Sequence, residues 1–121
     1  MTKAVVLDPK NAEAHDDLGV VYAQRAEYAR AAKHFSTTIK LDPSYQKAYH
    51  NLAMVYYLTD QAPRALESVE QGLKLIPEHR GSLLLKAMIL SALGRDAEAK
   101  SIRDYAELLP EDGWSERMAI Q

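Results

Sequence analysis

The side chains best suited to acid–base or metal chemistry in this sequence are His15, His34, His50 and His79, with the carboxylates Asp16, Glu67 and Glu70. A zinc-type centre needs three or four such ligands converging at set spacings. His15 and His50 stand 35 positions apart, so two neighbouring helices could bring them together, with Asp16 as the nearest third ligand. The four histidines are not otherwise in ligand spacing, and packing or surface roles account for each of them. Glu67 and Glu70 are three apart on one helix face, the usual arrangement of solvated charge. No nucleophile elbow, phosphate-cradling glycine loop or zinc-protease histidine pair is present. With no cysteine, neither a disulfide nor a thiolate metal site can form. The sequence therefore predicts no catalytic residue, no metal and no cofactor, and a chain that is not an enzyme.

Composition narrows the partners. A formal charge of −2 lacks the basic excess of a nucleic-acid or anionic-membrane binder. At 121 residues and 47% hydrophobic content the chain is one domain with a modest core. Its start has no apolar stretch of signal-peptide length, no apolar run approaches the length of a membrane helix, and Leu83-Leu84-Leu85 is broken by Lys86. The expectation is a soluble segment, with the cytoplasm as its compartment.

What must position these side chains is a repeat. Leu7, Leu41, Leu75 and Leu109 fall 34 residues apart, and Pro9, Pro43 and Pro77 keep the same step. So do Gly19, Ala53 and Ala87, and Ala31, Ala65 and Ala99. A fixed period of this size marks stacked supersecondary units, each leaving an apolar face for the next to cover. Within a period, apolar and small residues recur at three- and four-residue steps in two runs. They predict helices over 12–25, 28–41, 46–58, 63–75, 80–93 and 96–109, in antiparallel pairs. Asp42-Pro43 stops the second helix, Pro63 suits a first helical turn, and Gly94 suits a helix end. The small residues mark close crossings, Gly19 against Ala31 and Ala53 against Ala65. Ala31, Ala32, Phe35, Ile39 and Leu41 form the buried side of the second helix.

The motif His15-x-x-Leu18-Gly19-x-x-Tyr22, then Ala31-x-x-x-Phe35 and Pro43, resembles the tetratricopeptide repeat, a 34-residue helix–turn–helix unit. The second unit reads Tyr49-x-x-Leu52-Ala53-x-x-Tyr56, Ala65-x-x-x-Val69 and Pro77. The third is weaker, with Lys86 and Arg103 in apolar places and Pro110 only 33 residues after Pro77. The resemblance spans Ala4 to Pro110 and implies an all-α, right-handed helical-repeat solenoid of about three helix–turn–helix units with a C-terminal capping helix. Residues 4–9 read as the tail of a preceding unit, 12–45, 46–79 and 80–110 as three repeats, and 111–121 as the cap. In that cap Trp114 and Met118 share the face turned to the third unit, near Leu90 and Tyr105.

The resemblance also implies a concave groove lined by the first helix of each unit. Its family places fall on Glu13, Asp16, Val20, Ala23 and Gln24, then Lys47, His50, Met54, Tyr57 and Leu58, then Gly81, Leu84, Met88, Ser91 and Ala92. This surface is acidic at one end and apolar toward the other, with adaptable Met side chains. An apolar patch there marks a partner site, unless a C-terminal segment or a neighbouring unit covers it. One family subtype clamps a terminal carboxylate with Lys, Asn, Asn, Lys and Arg. The matching places hold Asp16, Val20, Asn51, Gly81 and Leu85, with Asn51 alone in agreement, so a chaperone-tail receptor is not expected. The function implied is protein–protein interaction, an adaptor or scaffold holding a peptide or amphipathic helix. The alternative is a structural spacer or oligomerisation segment of a larger protein, associating through the solenoid ends. That parent could carry a transferase or be a secretion or pilus assembly factor.

Overall fold

The computed structural model describes residues 10–111, and these form six helices. They are α1 (Ala12–Gln24), α2 (Tyr28–Leu41), α3 (Gln46–Leu58), α4 (Ala62–Leu75), α5 (Arg80–Ala92) and α6 (Asp96–Ala106). No strand occurs among the described residues. Both the expected tail of a preceding unit and the Trp114–Met118 face of the expected cap lie outside them.

Each pair closes with the same turn, and the 34-residue period shows in its hydrogen bonds. Glu27 N–H donates to Tyr22 O, Gln61 N–H to Tyr56 O and Arg95 N–H to Leu90 O, at 2.9, 2.8 and 2.8 Å. The residue before each donor is left-handed: Ala26 at φ 60°, Asp60 at 63° and Gly94 at 78°. This is a Schellman closure, which satisfies helix-end carbonyls that would otherwise lack donors. Between units the chain turns at Pro43 and Pro77, where a missing N–H prevents the helix from continuing.

Helix starts are set locally as well. Asn11 caps α1, its Oδ1 accepting from Ala14 N–H at 2.9 Å. His79 caps α5 through Nδ1, which accepts from Ser82 N–H at 3.2 Å. Pro63 lies in the first turn of α4. The sixth helix stops at Ala106, three residues before its expected end at 109. Leu108 and Leu109 instead donate to carbonyls three residues back, because Pro110 disfavours helical geometry at Leu109.

Each helix packs mainly on its neighbours in sequence, and the first helices of successive units also meet, α1 with α3 and α3 with α5. The second helices of adjacent units do not meet. The first helices therefore form one wall and the second helices the other. The core runs between them through Phe35, Leu52, Val55, Val69, Leu85 and Ile89, with Ala31, Ala53, Ala65, Ala87 and Ala99 fully buried at the crossings. Gly19 faces the Phe35 ring, one helical turn beyond its expected neighbour Ala31. Leu41, placed on the buried side from the sequence, is 40% exposed because it is the last residue of α2.

Candidate functional site: the first helices of the three units

The 34-residue register aligns the first helices row by row. Glu13, Lys47 and Gly81 share one place; Asp16, His50 and Leu84 the next; then Asp17, Asn51 and Leu85; then Val20, Met54 and Met88; and last Gln24, Leu58 and Ala92. Charge is concentrated in the first unit and apolar surface in the third.

Burial divides this set. Asp16, His50, Asn51 and Met54 are closed off from solvent, while Val20, Lys47, Tyr57 and Leu84 are half-buried. Val20 and Tyr57 pack on the core. Glu13, Gln24, Leu58 and Met88 are exposed. Leu58 and Met88, at 44% and 45%, are the large apolar side chains of the first helices that solvent reaches most freely.

The buried members join the units. Asn51 Nδ2 donates to Asp16 Oδ1 at 3.3 Å, linking α3 to α1. Asp16 Oδ2 and Asn51 Oδ1 are buried and accept no hydrogen bond from the described residues. Burial pushes the Asp16 carboxyl up to about 6; Lys47 and Asn51 oppose this, and Asp17 and Glu13 add to it. Tyr45, in the turn before α3, is likewise pushed up to about 12, first by burial and then by Asp16, Glu13, Asp17 and Asp42.

A second junction centres on Ser82. Its hydroxyl lies 2.8 Å from His79 Nδ1, 3.1 Å from His50 Nδ1 and 3.1 Å from Gln46 Nε2. Because His79 Nδ1 already accepts from the Ser82 backbone, it has to be the unprotonated nitrogen. The hydroxyl accepts from Gln46 Nε2 and lies between the two imidazoles, joining α3 to the start of α5.

The histidines also pair. Within the first unit His15 stacks on His34 at 5.3 Å with their Nδ1 atoms 3.1 Å apart, and Tyr22 stacks on His34 at 5.4 Å. Burial, and secondarily His15 and Lys33, lowers the His34 pKa from 6.5. His50 meets His79 edge-on at 5.9 Å. His15 and His50, the pair considered for a shared ion, thus belong to separate clusters. No group of three His, Asp or Glu side chains among the described residues could hold a metal ion. Glu70 pairs with Lys86 at 3.2 Å across α4 and α5.

Sequence reasoning passed over Gln46 and Ser82. Both are common surface residues by type, and only their partners across a unit junction show their part. No helix among the described residues is long and apolar enough to cross a membrane.

The chain resembles proteins of known structure over most of its length. It aligns with the crystal structure of the MamA protein at 27% identity and TM-score 0.80, covering 87% of this chain and 57% of that one. A second MamA crystal structure matches at 26% identity and TM-score 0.82, over 88% of this chain and 63% of that one. YrrB, described as a TPR protein with an unusual peptide-binding site, shares the fold at 21% identity and TM-score 0.82, over 89% and 56% of the two chains. This chain thus spans less than two thirds of each of these structures. No curated protein matches it in sequence. Models of the tetratricopeptide repeat match residues 12–45 and 46–79, more than half the sequence. The chain belongs to the tetratricopeptide repeat family.

Proposed function

We propose that this protein is a non-enzymatic interaction module that holds a peptide or amphipathic helix of a partner protein against the concave face of α1, α3 and α5, in an adaptor or scaffold role. The observation that carries this reading is the exposure of Leu58 and Met88 on the first helices, beside half-buried Leu84. Neither side chain is needed to close the core, and an apolar surface kept open to water marks a docking surface. The tetratricopeptide fold supports it, as does the peptide-binding site described for YrrB, which has this fold.

The test is Met88→Asp alone and with Leu58→Asp. Partner peptides selected against the parent protein should lose binding, while the melting temperature stays nearly unchanged, as exposed substitutions shift stability by only about ±0.5 kcal/mol. Unfolding of these variants, or undiminished binding, would refute the reading.

A second reading is a structural or oligomerisation segment. It is favoured by Leu75, Ile76, Tyr105 and Leu108, which leave apolar surface open on the second helices and beyond α6. Sedimentation at several concentrations separates the two: self-association without peptide binding supports the second.

A further inference from the structure

We infer that the segment held on the concave face carries lysine or arginine side chains at one end and apolar side chains at the other, with the cationic end on the first unit. The inference rests on the concave-face reading above and adds the chemistry and direction of the occupant.

The direction follows from the rows. The first unit has Glu13, Asp16 and Asp17 where the third has Gly81, Leu84 and Leu85, with Asp16, Gly81 and Leu85 buried. Glu13 and Asp17 are exposed at one end, and Met88 and Leu58 are exposed toward the other. A ligand lying across the three helices meets carboxylates first and thioether and aliphatic surface last. An acidic or wholly apolar segment would match only part of that path.

Burial raises the Asp16 pKa to about 6, Lys47 and Asn51 oppose this, and Asp17 and Glu13 add to it. The Tyr45 hydroxyl, on a different element, is raised first by burial and then by the negative charges of Asp16, Glu13, Asp17 and Asp42. Asp16 Oδ2 and Asn51 Oδ1 are two buried acceptors with no donor among the described residues. Buried oxygens of this kind ordinarily have hydrogen-bond partners. A positive group beside exposed Glu13 and Asp17 supplies N–H donors to these carboxylates and a field that favours ionised Asp16. Charge-assisted contacts of this kind fix register and suppress wrong partners more than they add affinity.

The experiment uses the full chain and fluorescence anisotropy with three labelled peptides. One joins two lysines to a leucine–alanine stretch; the second replaces the lysines with glutamates; the third reverses the order of the lysine peptide. The lysine-first peptide should bind at least about tenfold more tightly than the glutamate peptide, and raising salt should reduce that ratio. Glu13→Gln combined with Asp17→Asn should erase the ratio while leaving the apolar contribution and the circular dichroism spectrum intact. A spin label at the lysine end should broaden resonances of the first unit, not the third. Equal binding of the lysine and glutamate peptides, or a ratio that survives the double variant, overturns the cationic end while the concave-face reading stands. If the label broadens the third unit, the direction is wrong. Failure of every peptide to bind overturns both.

Discussion

The Phe35 ring occupies the space in front of Gly19: a β-carbon placed on Gly19 would lie 2.6 Å from Phe35 Cε1 and 2.7 Å from Cδ1. Phe35 is fully buried, so the ring has no open space to retreat into. The equivalent places of the second unit hold Ala53 and Val69, a larger residue facing a smaller one. The first two units thus divide the space at this crossing differently.

This relationship predicts that Gly19→Ala destabilises the protein by about 1–3 kcal/mol through overpacking. The sign is informative, because Ala in a helix interior is intrinsically better than Gly by about 1 kcal/mol. Adding Phe35→Val should recover part of the loss by recreating the pairing of the second unit. Urea unfolding of the two variants measures this. A stabilised Gly19→Ala protein would mean the ring is free to move.

The three turn residues give a second prediction. Ala26 holds φ 60°, where a β-carbon is strained, while Gly94 holds 78° and a β-carbon added there would meet no atom within 4 Å. Ala26→Gly should therefore stabilise by about 0.5–1 kcal/mol, and Gly94→Ala should cost about 1 kcal/mol despite the open space around it. Thermal melts of both decide the matter. Equal and unchanged midpoints would show that the left-handed strain is negligible.

Asp16 sets a pH dependence whose sign is the reverse of a salt-bridged carboxylate. Its pKa rises from 3.8 to about 6 on folding, so the folded state binds more protons across that window. Stability from this group is greatest below pH 3.8, falls as pH rises toward 6, and is constant above it. His34 acts oppositely: its pKa is lowered from 6.5, so its contribution is lost as pH falls below 6.5. Asp16→Asn removes the first effect and leaves an amide oxygen to accept from Asn51. The variant should exceed the parent in stability by about 1–3 kcal/mol at pH 8, with the gap closing toward pH 4. A variant less stable than the parent at pH 8 would show that the ionised carboxylate is stabilised in place, through Lys47.

The 34-residue recurrence of leucine, proline and small residues determined the six helices, because a helix pair is a local object whose apolar period, stops and turns are written in adjacent residues. Pro43, Pro63 and Gly94 act through their own backbone geometry, so their effect was legible without knowing any neighbour. Only the tertiary structure decided which of the groove places remain open. Asp16, His50, Asn51 and Met54 stand at places that the family resemblance assigns to a groove, yet they are buried, and Asp16, His50 and Asn51 make hydrogen-bonding contacts across the junctions between units. The same holds for the histidines: His15 chooses His34, and His50 and His79 gather on Ser82, since a side chain selects the partner that the helix crossing brings within about 3 Å. A repeat period fixes where a side chain points. Whether water or another unit meets it there depends on packing between segments distant in sequence, and that information lies in no single period.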